Sequence, residues 1–273
     1  MVDQLVDQLC ESAIITTRKS KKVVTMNIAI TAPKRLYQEI GLALQERISN
    51  SEFKVGDRLP PERDIAEEME VSRSVVREAI IMLELQQLVE VRKGSGVYVV
   101  SVPEVGQSQK LTNNRAGSDI GPFELLQARQ VLESQIAGFA AQHVTKSDIS
   151  KLRDALDTER KQLETGHGDY DGDEMFHLTI AEASQNSVLS DIVRDLWARR
   201  DESSMWRQLH TRITNMNYRT AWLEEHEQVL LALQKRDPKG AQEAMWQHLE
   251  NVKQTLFELS DVDDPKFDGF LFR

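Results

Sequence analysis

Between Gly56 and Gly96 three different local signals follow one another with almost no chain between them, and they leave few folds open. The first is Gly-Asp-Arg-Leu-Pro-Pro-Glu-Arg. Its two prolines keep Leu59 out of the helical region, and Pro61 suits the first turn of a helix because its missing N–H is not needed there. Ile65, Ala66 and Met69 give that short helix one apolar face. After a turn at Glu70-Val71, Ser72 is a natural N-cap for a second helix, in which Val75, Ala79, Ile80 and Leu83 recur at helical spacing and are expected to face inward. Arg73, Ser74 and Arg77 then stand outside, near its N-terminus. Finally, Val89-Glu90-Val91 and Val97-Tyr98-Val99 alternate as strands around Arg92-Lys93-Gly94-Ser95-Gly96, a hairpin with a basic, glycine-rich tip. Two helices across a tight turn followed by a hairpin make a winged helix-turn-helix, whose second helix enters the DNA major groove. The competing reading is a small α+β domain with solvated charged turns. Arginines at i and i+4 repel one another, a cost that phosphates or guanine edges would remove.

Charge opposes this reading at first sight. The net charge is −10, and residues 33–100 hold ten Lys/Arg against twelve Asp/Glu. Steering by overall charge is therefore weak, and contact with double-stranded DNA has to rest on local cations at Arg63, Arg73, Arg77, Arg92 and Lys93, present in two copies per site. Cys10 is the only cysteine, which excludes an internal disulfide and a cysteine-based zinc finger. No apolar run nears the roughly 18 residues that span a bilayer, and the start lacks the basic and apolar regions of a secretion signal. A soluble, cytoplasmic protein with no membrane partner is expected.

Residues 35–100 resemble the DNA-binding domain of GntR-family bacterial transcription regulators. The matching runs are Gly-Asp-Arg-Leu-Pro-Pro-Glu-Arg, Val-Ser-Arg-Ser-Val-Val-Arg-Glu-Ala and the Arg-Lys-Gly-Ser-Gly wing. The resemblance implies DNA contacts by Arg35, Arg63, Arg73 and Arg77, phosphate contacts by Ser72 and Ser74, and a minor-groove role for the wing at Arg92, Lys93 and Gly94.

Around this unit the chain divides as follows. Residues 1–33 read as an N-terminal extension without stable structure, of which 1–25 precede Met26, a start nearer to the family-like segment. The winged domain spans 34–101, opening with a helix over about 34–49 striped by Leu36, Ile40, Leu44 and Ile48. Residues 102–121, rich in Ser, Asn, Gln and Gly, form a linker, and 261–273 a tail. From 122 to 260 the pattern is helical throughout and predicts an all-helical bundle. Its first helix starts at Pro122 with Leu125, Leu126, Leu132, Ile136 and Phe139 inward. Thr145 to Asp148 resembles a capping box, further helices cover about 173–184, 221–235 and 238–259, and residues 201–219 are ambiguous. The fold class is mainly α.

Three histidines of this bundle lie on apolar helix faces: His177, four residues after Asp173 and so on its face, His226 and His248. One carboxylate and three imidazoles suit a divalent ion such as Zn, Ni or Mn and leave positions open for water or a carboxylate ligand. Each histidine alone reads equally as hydrogen-bonded core. A metal hydrolase or oxygenase would use the same donors, although no general base or nucleophile flanks them. Residues 122–259 resemble the FCD effector domain of the FadR-type GntR regulators, and in its metal-binding members the ligands match Asp173, His177, His226 and His248. That resemblance also implies Arg129 facing a ligand cavity, where a guanidinium could clamp a carboxylate; a salt bridge to Glu133 is the other account. Asn251, one turn beyond His248, could reach the same cavity. The runs Gly-Pro-Phe-Glu-Leu-Leu-Gln-Ala-Arg-Gln and Ala-Met-Trp-Gln-His-Leu-Glu resemble the hexuronate-utilisation repressors of this family. They imply a homodimer on a palindromic operator, released by glucuronate, galacturonate or fructuronate; lactate or an acyl-CoA is the alternative effector.

Overall fold

The computed structural model describes residues 35–92, 94–103, 119–165, 170–213 and 218–261. The elements run α1 (Leu36–Ser49), α2 (Glu62–Glu68), α3 (Arg73–Leu85), β1 (Val89–Arg92), β2 (Gly96–Val99), α4 (Pro122–His143), α5 (Lys146–Thr165), α6 (Asp171–Ala183), α7 (Ser187–Glu202), α8 (Ser204–Thr211), α9 (Tyr218–Gln234) and α10 (Pro238–Leu259). The expected N-terminal extension, most of the linker, Lys93 and the tail beyond Asp261 lie outside the described residues.

Local chemistry sets most element ends. Ser72 accepts a hydrogen bond from the Val75 N–H and starts α3. Glu70, at φ +54°, makes the turn before it. β1 and β2 pair antiparallel with Val89 opposite Val99 and Arg92 opposite Gly96. At Gly96, φ is +106° and a Cβ would lie 2.4 Å from the Arg58 side chain, so glycine is required at the wing's return. In the bundle, Thr145 and Asp148 form the expected reciprocal cap, Asn186 caps α7, and Asp237 with Pro238 opens α10. The ambiguous 201–219 region contains α8, capped by Ser203.

α1, α2, α3 and the hairpin enclose a core of Leu44, Ile48, Ile65, Ile80 and Leu83, each fully buried. Truncating any of these to Ala would cost about 2–5 kcal/mol. That core continues without a break into Phe123 and Leu126 of α4, Met205, Trp206 and Leu209 of α8, Trp222 of α9 and Leu256 of α10. A second cluster fills the bundle between α4, α5, α6, α9 and α10, with α10 lying along α4 and α6 along α5. Val76, not Val75, is the buried valine at the start of α3, and Leu132 and Phe139 of α4 are more than a third exposed instead of inward. The buried face of α4 runs through Leu125, Leu126, Ile136 and Ala140 and is centred away from these two side chains, which fall at its solvent edge.

Candidate metal centre and nucleic-acid interface

The bundle brings Asp173, His177, His226 and His248 together from α6, α9 and α10. All four are buried, and one ligand atom from each lies within 4.8 Å of every other. Asp173 and His177 sit one turn apart on α6, with His177 Nε2 3.4 Å from Asp173 Oδ1. His226 Nε2 lies 3.6 Å from the same oxygen and 3.0 Å from His248 Nε2. Gly172 makes this possible: a Cβ there would fall 2.4 Å from the backbone nitrogen of Glu159, so only glycine lets α6 approach α5 this closely.

Each imidazole is oriented from behind by a glutamate. His177 Nδ1 bonds Glu133; His226 Nδ1 bonds Glu159 Oε2 at 2.9 Å; His248 Nδ1 bonds Glu225 Oε2 at 2.9 Å. A carboxylate only accepts, so each Nδ1 carries the proton and each Nε2 of a neutral ring presents a lone pair to the centre. The fit to a cation follows from two observations. The Nε2 atoms of His226 and His248 face each other at 3.0 Å, which opposes two lone pairs when both rings carry their proton on Nδ1, and the buried His177 Nε2 has no hydrogen-bond partner. A divalent ion such as Zn, Ni or Mn held by these four donors would satisfy all of them and act as a Lewis acid toward an oxygen ligand.

The surrounding charges act differently on each ligand. Burial would push the Asp173 carboxyl up, but His177, His226 and Arg129 hold it well below the usual carboxylate range. Glu133 likewise withstands burial and is pulled down to about 2 by Arg129 and His177. His248 is driven well below the usual histidine value by burial and by His226 and His177, leaving a neutral ring available to a metal. Burial would lower His177 too; Glu133 and Asp173 raise it instead.

A cavity of about 10 Å³ adjoins the cluster, bounded by Arg129, Asp173, Arg200, Trp206, Trp222 and His248 among others. Arg129 lines the cavity, its Nε donates to Glu133 Oε1 at 2.6 Å, and its guanidinium lies 4.1 Å over the Trp197 ring. Asn251 does not line the cavity. It donates to Glu225 Oε1 at 2.6 Å and so steadies the carboxylate behind His248. Arg200 had no sequence signal: buried at the end of α7, it stacks on Tyr170, Trp197 and Trp206 and offers the cavity a second guanidinium. Glu159 and Glu225 were equally unmarked, because nothing in their spacing relates them to the histidines they hold.

The residues expected to meet DNA fall into two groups. Arg63 is 76% exposed, beside Asp64 at 3.1 Å. Ser72 and Ser74 share a hydrogen bond at the start of α3, and Arg92 lies over Tyr98 in the wing next to Gly94, at φ +67°. Arg35 sits at the N-cap position of α1 without a side-chain cap; its guanidinium bonds the Asp119 carbonyl and lies 3.5 Å from Glu124. Arg73 is half-exposed and bonds Asp261. Arg77 is not on the outside as the helical period suggested: it is completely buried and paired with Glu62 of α2.

A winged helix-turn-helix sharing one core with a histidine-rich helical bundle defines a two-part DNA-binding transcription regulator. Residues 36–99 match the bacterial regulatory proteins of the gntR family, and residues 124–251 match the FCD domain. The Uxu operon regulator of Haemophilus influenzae is 52% identical over 238 residues, 87% of this chain and 88% of that protein. The Uxu operon transcriptional regulator and the Exu regulon transcriptional regulator of Escherichia coli K12 are each 49% identical over 244 residues, 89% of this chain and 95% and 93% of those proteins. The chain belongs to the GntR family and carries an FCD domain; it is a transcription regulator and not an enzyme. No helix among the described residues is long and apolar enough to cross a membrane.

Proposed function

We propose that this protein is a cytoplasmic, homodimeric repressor of hexuronate catabolism genes. It binds a palindromic operator and is released when a hexuronate binds at a divalent metal held by Asp173, His177, His226 and His248. The observation that carries this reading is the convergence of three imidazole Nε2 atoms and one carboxylate in a buried site, beside the guanidiniums of Arg129 and Arg200. A hexuronate offers a carboxylate and hydroxyl oxygens. One of these would complete the metal's coordination, and the carboxylate would suit a bidentate guanidinium. The names of the relatives, Uxu and Exu regulators, support the pathway. The roles of Arg63, Ser72, Ser74, Arg92, Lys93 and Gly94 at the operator belong to the same proposal.

The cavity of about 10 Å³ has room for about one water molecule, so a six-carbon acid must open it. A ligand that binds only the opened form shifts the population toward that form, the thermodynamic requirement for release. The test is operator binding titrated with fructuronate, glucuronate, galacturonate and lactate, each with and without a chelator. The proposal predicts that a hexuronate weakens binding, that lactate does not, and that chelation abolishes the response. Release by lactate alone, or a hexuronate response indifferent to chelation, refutes the effector or the metal respectively.

A further inference from the structure

The recognition helix α3 is held by the effector bundle along its whole length. At its start, Arg73 bonds Asp261 Oδ2 at 2.5 Å, just past the end of α10, and its guanidinium lies over the Phe257 ring. One turn on, Arg77 gives Nε and Nη2 to Glu62. Its remaining nitrogen, Nη1, donates to the Phe257 carbonyl and to Ser260 Oγ at 3.0 Å, with Asp261 Oδ1 3.5 Å from Nη2 and the Phe257 ring 4.1 Å away. Mid-helix, Glu78 accepts from the Phe123 and Glu124 N–H groups at the start of α4. Near the end, Glu84 pairs with Arg212 at 2.9 Å.

The contacts at the start of α3 differ in kind from the other two. They engage the guanidiniums of the first turns of the recognition helix, half-exposed at Arg73 and buried at Arg77 in this docked form, and they do so with a carboxylate, a hydroxyl and a carbonyl, acceptors whose place a phosphate or a guanine edge could take. We propose that the turn closing α10, Phe257 to Asp261, is a built-in competitor for DNA: it occupies the guanidiniums of Arg73 and Arg77, and operator binding requires α3 to leave it. Glu62 stays with Arg77 throughout, because it belongs to the winged unit, and leaves Nη1 as the edge that changes partner. The same α10 carries His248, about 14 Å along the axis from Phe257 at helical rise, so a shift of α10 at the metal centre reaches the latch directly. The latch rests on the winged helix binding DNA and not on the identity of the effector.

The experiment measures binding of the full chain, with no effector present, to a duplex that the wild-type protein selects from a random-sequence pool. Asp261→Asn removes the carboxylate charge, Ser260→Ala removes one acceptor from Arg77, and Asp157→Asn changes the net charge equally on α5, far along the chain. Asp261→Asn is expected to bind roughly tenfold tighter, and Ser260→Ala tighter by a smaller factor, because each lowers the population held in the docked form. Asp157→Asn is expected to leave affinity unchanged. Unchanged or weaker binding by a folded Asp261→Asn overturns the proposal, as does equal tightening by Asp157→Asn. If Asp261→Asn melts early, Ser260→Ala decides: tighter binding supports the latch, and unchanged binding overturns it.

Discussion

Glu78 provides a test of how the two halves are joined that needs neither DNA nor effector. Its carboxylate sits in the shared core, 3% exposed, and accepts from the first N–H groups of α4 at 2.8 and 3.0 Å. Burial pushes its pKa from 4.5 to about 7, against the downward pull of those two bonds. Because the folded value lies above the unfolded one, the folded chain binds the proton more tightly. The stability linked to it is complete below about pH 4.5 and is lost as pH rises through 7. The full loss is on the order of 3 kcal/mol at about 1.4 kcal/mol per unit; roughly 2 kcal/mol of it falls between pH 5.5 and 8. Glu78→Gln keeps a carbonyl oxygen for the two N–H groups and removes the charge. Urea unfolding of wild type and variant at several pH values in this range isolates the contribution, since every other titrating group is common to both. The wild type should lose about 2 kcal/mol more than Glu78→Gln over the interval, and the variant should be the more stable protein at pH 8. Parallel stability curves would refute the assignment of a buried, proton-binding cap to this residue.

Three further perturbations address the site and the DNA face. Glu159→Gln leaves an acceptor for His226 Nδ1 but no charge, and zinc affinity measured by competition with a chelator should fall about 10–100-fold; unchanged affinity would detach Glu159 from the metal centre. Gly172→Ala forces a methyl group against the Glu159 backbone at 2.4 Å. It should cost about 1–3 kcal/mol in denaturant unfolding and weaken zinc binding as Asp173 is displaced. Arg63→Ala removes an exposed cation and should weaken operator binding by about 1 kcal/mol or more, with a shallower salt dependence if the partner is a phosphate.

The parts of this protein that rest on short-range chemistry could be read from the chain. The helix-turn-helix, its Ser72 cap and the hairpin around Gly94 and Gly96 depend on residues a few positions apart, and they stand where the periodicity and turn residues put them. The same holds for the Asp173–His177 pair, which is a single helical turn. His226 and His248 were visible as polar residues on apolar faces, and the four donors do converge.

What the chain could not disclose depends on which helices meet. Glu159 and Glu225 stand 67 and 23 residues from the histidines they orient, and Arg200 enters the cavity through three aromatic rings from separate segments. Leu132 and Phe139 continue an apolar pattern but turn outward, because the period of a helix says which residues share a face and not which faces are covered. Arg77 makes the same point at the DNA surface. Its spacing from Arg73 marks a recognition helix, yet its burial is set by Glu62 fifteen positions before it and by Ser260 at the far end of the described chain. Local sequence determined the elements and their chemistry; only the tertiary packing decided which of those charges are open to solvent, because burial is a property of the neighbours and not of the residue.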